Sequence, residues 1–151
     1  MVIDYKTLYD EIVILLEGIQ TVVLATCADG RVTARTMNFV NDELTIYFQT
    51  SENGSKAEQI RENSNVAIAV DNIQIEAMAH FTTDVRKIEF CSTMYKSKYP
   101  QLYEKYIECP EEPTLICKPV RFQLYKFIDR NICFDVLDVK EKKAYRIHNI
   151  Y

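Results

Sequence analysis

TVVLATCADGRVTARTMNFVNDELTIYFQT, residues 21–50, decides the fold. Thr21 to Cys27 is a β-branched run, and Asp29-Gly30 is a two-residue hairpin signal. The return strand, Arg31 to Val40, sets Val32, Ala34, Thr36 and Asn38 on one face and Thr33, Arg35, Met37 and Phe39 on the other. Asn41-Asp42 reads as the next turn. Leu44, Ile46 and Phe48 then alternate with Thr45, Tyr47 and Gln49 in a third strand. This meander is expected to bring Arg35 and Thr50 onto neighbouring strands.

Helical and strand patterns extend outward from this core. Asp4 precedes Tyr5, Leu8, Ile12, Leu15 and Leu16 at helical spacing, with Gly18 at the far end, so a capped amphipathic helix precedes the sheet. Ser55 to Glu62 is helical, with Ala57, Ile60 and the stem of Lys56 inward. Val66–Val70 and Ile73–Phe81 read as strands. Asp84 to Ile107 reads as two helices divided at Pro100. Pro119–Ile128 and Ile132–Val139 complete the strands, followed by a short tail to Tyr151. The expectation is a single domain, 1–151, that is mainly β with peripheral helices: a six- to seven-stranded antiparallel split β-barrel.

Composition bounds the function. At 151 residues one domain can bury about 70% of the surface its unfolded chain exposes. Net charge is −4 with dispersed lysines and arginines, which disfavours nucleic acid as a partner. No signal-peptide pattern or membrane-length apolar run is present, so a cytoplasmic protein is expected. Five cysteines without a C-x-x-C pair argue against a disulfide scaffold and against structural zinc. Cys27, Cys117 and Cys133 read as small buried hydrophobes.

The chemistry centres on Phe48-Gln49-Thr50-Ser51-Glu52-Asn53-Gly54-Ser55-Lys56. Hydroxyls, a glycine and a lysine at a helix start suit a phosphate dianion, because free N–H groups and the helix dipole point there. Arg35 would add a planar fork of donors. The alternative for Arg35 is a strand arginine paired with an acid such as Glu43, and for Lys56 a surface lysine. No Ser/His/Asp set, carboxylate pair or metal-ligand cluster suggests catalysis by side chains alone.

Together, Ala25-Thr26, Asp29-Gly30, Arg35-Thr36-Met37-Asn38, Tyr47-Phe48-Gln49-Thr50-Ser51, Ser55-Lys56, Ile60-Arg61-Glu62-Asn63 and Val66-Ala67 resemble the pyridoxamine 5'-phosphate oxidase-like, flavin-binding split-barrel superfamily. Short members similar to general stress and nitroimidazole-resistance proteins are nearer in pattern than the vitamin-pathway oxidase. The resemblance implies a homodimer with FMN at the subunit interface. Arg35 and Lys56, with hydroxyls of Thr50, Ser51 or Ser55, match its phosphate positions. Arg35, Thr36, Met37 and Asn38, with Gln49 and Thr50, match stretches that flank the flavin ring. It also implies an oxidoreductase passing hydride from a nicotinamide through the flavin to a small acceptor. The alternative is a non-catalytic flavin- or haem-binding dimer, and haem or deazaflavin are the alternative cofactors.

Departures from the family pattern narrow this expectation. Val40 stands where the true oxidase carries a substrate lysine, and the long C-terminal extension is missing, so pyridoxamine phosphate oxidation is not expected. Arg146-Ile147-His148 echoes the oxidase's substrate-binding Arg-x-His but lies in the short tail, where an exposed basic segment is the alternative. His80 is a candidate haem ligand or a hydrogen-bonded strand histidine. Tyr95, Tyr99, Tyr103 and Tyr106 form a stripe that suits packing or a dimer surface better than a ligand cage.

Overall fold

Alternation in the first strand sends Val22, Leu24 and Thr26 inward and leaves Val23 outside, and the rest of the sheet follows this period. The computed structural model describes residues 1–105 and 113–148. Helix α1 (Tyr5–Glu17) begins where the Asp4 carboxylate accepts from the Thr7 N–H at 2.8 Å. It seals the barrel with Leu8, Ile12 and Leu16. Strands β1 (Thr21–Ala28) and β2 (Arg31–Asn38) form a hairpin whose turn residues Asp29 and Gly30 both have positive φ, 52° and 74°. That is the twist-matched geometry of a two-residue turn.

The expected Arg31–Val40 strand divides at Phe39, giving a short β3 (Val40–Asp42) before β4 (Thr45–Gln49). The turn between them falls on Glu43-Leu44, with Glu43 at φ 52°, rather than on Asn41-Asp42. Asn41 stays in the strand, and its side-chain amide donates to the Glu43 carbonyl at 2.8 Å. Helix α2 (Ser55–Glu62) leads to β5 (Asn65–Val70) and β6 (Ile73–Phe81), and α3 (Val85–Lys98) and α4 (Pro100–Lys105) follow. Strands β7 (Thr114–Ile128), β8 (Asn131–Asp138) and β9 (Lys143–His148) end the described chain.

All pairings are antiparallel, in the order β2-β1-β5-β6-β7-β4-β3, with β8 on β7 and β9 on β8. Strand β7 serves two partners: Thr114–Cys117 pair with β4, and Arg121–Ile128 pair with β8. Between them lies Pro119, beside a register shift against Glu76/Ala77 of β6. A proline lacks the N–H a central strand needs, so it sits where neither partner claims that edge. This is the split of the split barrel. Phe39, Phe48, Phe122, Leu24, Ile68 and Ile75 fill its core.

Three further expectations change. The tail is strand β9, and β7 begins five residues before Pro119, at Thr114. Arg35 and Thr50 are not on hydrogen-bonded neighbours, because β2 pairs with β1 while β4 pairs with β3 and β7. The break at Phe39 redirects the chain, so the third strand never lies against the second.

Candidate cofactor site

Arg35 lies opposite Leu24 in the β1–β2 ladder, on the inward face at the edge of the sheet. Its Nη1 donates to Thr26 Oγ1 at 2.8 Å and to the Leu24 carbonyl at 3.3 Å, and Nη2 donates to Thr33 Oγ1 at 2.6 Å. Both threonine hydroxyls donate onward to Gln59 Oε1 of α2, at 2.6 and 2.7 Å. Gln59 in turn donates to the Arg31 carbonyl at 3.1 Å. The threonines thus present lone pairs to Arg35 because Gln59 takes their protons. Burial draws the Arg35 guanidinium below its ordinary value, yet arginine stays charged in proteins. Its Nε–H has no acceptor among the described residues.

This network carries Arg35 to the first turns of α2. Gln59 is one turn beyond Ser55 and three residues beyond Lys56. The helix opens on Gly54, extended at φ −167°, with no side-chain cap. The first intrahelical bond runs from the Glu58 N–H to the Gly54 carbonyl, 3.1 Å. The N–H groups of Ser55, Lys56 and Ala57 therefore precede the ladder, as at any helix start. Ser55 is exposed and Lys56 half-buried. Thr50 is buried, with its N–H on the Pro113 carbonyl at 3.0 Å, and Ser51 Oγ accepts from the Asn53 N–H at 3.0 Å.

The remaining candidates separate. Thr36 points to the exposed outer face, opposite to Arg35, while Met37 packs half-buried against the core. Asn38 and Gln49 are joined through one atom: Tyr95 Oη donates to the Asn38 carbonyl at 2.7 Å and accepts from the Gln49 N–H at 3.2 Å. Phe39 is core. Tyr95 and Tyr99 of the tyrosine stripe are buried and tilted against each other at 5.4 Å, while Tyr106 and the Tyr103 side chain lie outside the described residues.

The Arg-x-His echo has a structural use. Arg146 on β9 holds Asp135 on β8 with two hydrogen bonds, 2.6 and 2.9 Å, so its guanidinium is committed to a buried carboxylate rather than to a tail. His148 is exposed. His80 is exposed on the outer face, and partial burial with Lys118 and Lys87 nearby lowers its pKa, favouring neutral imidazole. Glu43 bonds the Tyr9 hydroxyl at 2.5 Å, and Arg35 takes no part. Cys117 and Cys133 are buried as expected, Cys27 half so, and Cys109 lies outside the described residues. Burial raises the Cys91 thiol to about 12 and pushes the Cys117 thiol well above its ordinary value, so neither is a nucleophile near neutrality.

Sequence reasoning missed Thr26, Thr33, Gln59 and the Tyr95 hydroxyl. The hairpin at Asp29-Gly30 fixes Thr26 opposite Thr33 and Leu24 opposite Arg35, so the threonines were deducible from register. Gln59 and Tyr95 bond across 26 to 57 residues, which no local pattern reveals.

Residues 8–121 match the sequence profile of the pyridoxamine 5'-phosphate oxidase family, and the chain belongs to that family. No curated protein matches. Solved structures share the fold at low identity. A protein related to general stress protein 26 from Clostridium acetobutylicum is 17% identical, covering 93% of this chain and 99% of its own, with TM-score 0.68. A pyridoxamine 5'-phosphate oxidase-related FMN-binding protein from Nostoc punctiforme is 15% identical, covering 87% of each, with TM-score 0.59. The haem storage protein HutZ of Vibrio cholerae is 16% identical, covering 73% of this chain and 88% of its own, with TM-score 0.60. The donor set at Arg35 and α2 fits the phosphate of a nucleotide cofactor: a guanidinium with an unclaimed Nε–H, a helix start without a side-chain cap, and adjoining hydroxyls.

Proposed function

We propose that this chain is an FMN-binding flavoprotein, a cytoplasmic homodimer that moves reducing equivalents from a nicotinamide to a small acceptor. One observation carries the reading. Arg35 is oriented by Thr26, Thr33 and Gln59 beside a helix that begins without a side-chain cap. Arg35 and Lys56 supply positive charge for a phosphate. The first N–H groups of α2 and the hydroxyls of Ser51 and Ser55 supply donors. Asn38 and Gln49 offer polar groups along the ring. Bound there, FMN supplies the hydride chemistry, and the chain supplies position and charge.

The homodimer rests on the outer sheet face. Val23, Val32, Met78 and Val120 are 39–68% exposed there, with Ala67 and Ala69 exposed between them. A groove of about 470 Å³ runs past Cys27, Val32, Asn65, Ala67, Glu76 and Arg121. A sheet face with this much exposed apolar surface suits a second copy of itself. The four cysteines among the described residues are unpaired, which suits a reducing compartment.

The test is a visible spectrum of the purified protein before and after FMN, with mass analysis of any released cofactor. A two-banded flavin spectrum at one FMN per chain, followed by NADH or NADPH oxidation above background, supports the reading. Stoichiometric binding without turnover leaves a flavin-binding dimer. A sharp haem band moves the assignment to His80, and retention of FMN by Arg35→Ala sinks the phosphate site.

A further inference from the structure

Phe39 has no ladder partner of its own, since β2 ends at Asn38, opposite Thr21, and β3 starts at Val40. Buried peptide groups must still be satisfied. One face of α3 does this, through residues three and four apart. Tyr95 Oη donates to the Asn38 carbonyl at 2.7 Å, and Lys98 Nζ donates to the Phe39 carbonyl at 3.2 Å. Tyr99 Oη accepts from the Phe39 N–H at 3.2 Å and lies 2.5 and 2.7 Å from the Phe39 and Gln20 carbonyls. Tyr95 does one thing more. The same oxygen accepts from the Gln49 N–H, at 3.2 Å. It therefore ties the end of β2 to the end of β4 two residues beyond the last β3–β4 pair, Val40 opposite Tyr47, where no ladder joins the two strands.

We infer that Tyr95 is a positioning residue for the cofactor cleft: its hydroxyl sets the spacing between the Asn38 and Gln49 segments that would border the ring. This rests on the FMN reading above. The bonds of its hydroxyl to those two backbone groups are the contacts that join the two segments. Tyr99 is the internal control, because it anchors the same corner to Gln20 and leaves Gln49 alone. Thermal unfolding of each variant reads how much stability the loss of either hydroxyl removes.

The experiment titrates FMN into wild type, Tyr95→Phe and Tyr99→Phe, following flavin fluorescence, with thermal unfolding of each apoprotein in parallel. Tyr95→Phe is expected to raise the FMN dissociation constant about tenfold and alter the fluorescence of bound flavin. Tyr99→Phe, destabilised to a similar degree, is expected to change affinity less. Equal losses in both variants would reduce Tyr95 to a stabilising contact and overturn the inference. Wild-type affinity and fluorescence in Tyr95→Phe would overturn it too, leaving the FMN site intact. A wild type that ignores FMN removes the reading and the inference with it. Should Tyr95→Phe not fold, deuterium uptake at Gln49 with and without FMN in wild type decides. Protection on binding supports the role, and its absence overturns it.

Discussion

Arg146 closes on Asp135 from the neighbouring strand with two nearly parallel hydrogen bonds, Nε at 2.6 Å and Nη2 at 2.9 Å. Asp135 is 1% exposed, and Lys126 reaches its second oxygen at 2.8 Å while also bonding Glu11 of α1. Four elements meet at one carboxylate. Arg146→Met is expected to lower the unfolding free energy by about 2–3 kcal/mol in urea, because a buried charge loses its better partner while Lys126 remains. FMN affinity should be unchanged, in contrast to the substrate role that the Arg-x-His spacing suggests.

The same carboxylate sets part of the acid limit. Burial alone would raise the Asp135 pKa, but the hydrogen bonds and charges of Arg146 and Lys126 outweigh it and hold the group below the usual carboxylate range. The unfolded chain therefore takes up this proton first. The stabilisation is whole above the ordinary carboxylate value, about 3.9, and is lost as pH falls through the lower folded value. Unfolding monitored from neutral pH into that range should show a shallower acid loss in Asp135→Asn than in wild type.

Lys98 has the opposite sign. Its Nζ rests 4.0 Å from the Phe39 ring centroid, and burial draws its pKa down to about 8. An unfolded lysine titrates near 10.4, so between roughly pH 8 and pH 10.4 the folded chain binds fewer protons and stability rises with pH. Measured against Lys98→Met, wild type should gain stability across that window. Parallel curves would mean that the ring and the Phe39 carbonyl hold the cation without penalty.

Gln59 can be separated from Arg35. Gln59→Leu strips the acceptor from two threonine hydroxyls, and is expected to cost about 2 kcal/mol of stability by thermal or urea unfolding. Affinity for FMN should weaken less than in Arg35→Ala, because the guanidinium remains while its orientation loosens. Equal loss in the two variants would place the binding energy in the helix rather than the arginine.

The outer face makes a separate prediction. Ala67→Glu sets a carboxylate at the centre of the exposed sheet, where two copies would face like charges. Sedimentation velocity should shift from dimer to monomer, with the thermal unfolding of the barrel little changed. An unaltered sedimentation coefficient would put the subunit contact elsewhere.

Local chemistry made much of this legible. Asp4 caps α1, Asp29-Gly30 turns the first hairpin, and Ala57 and Ile60 face inward, each as its neighbours in sequence dictate. What stayed hidden depends on distant residues. The buried run Thr114–Cys117 has no alternation to mark it, and Pro119 reads as a strand start until the change of partner shows why it is tolerated. In β9 only Ala144 is buried, too little for an inward face to register. Arg35 was conspicuous, but the hydroxyls that aim it are themselves aimed by a glutamine from a later helix.

The corner at Phe39 is bonded to Tyr99, sixty positions downstream. During synthesis the first hairpin and α2 can form as soon as they emerge, since their contacts are near in sequence. The corner has to wait for α3. A nascent chain that stops short of Tyr95 holds Arg35 and α2 and none of that tyrosine's grip on Asn38 and Gln49. Were FMN bound as proposed, it would load only after most of the chain has left the ribosome, a timing written into the distance between one helix and the bend it completes.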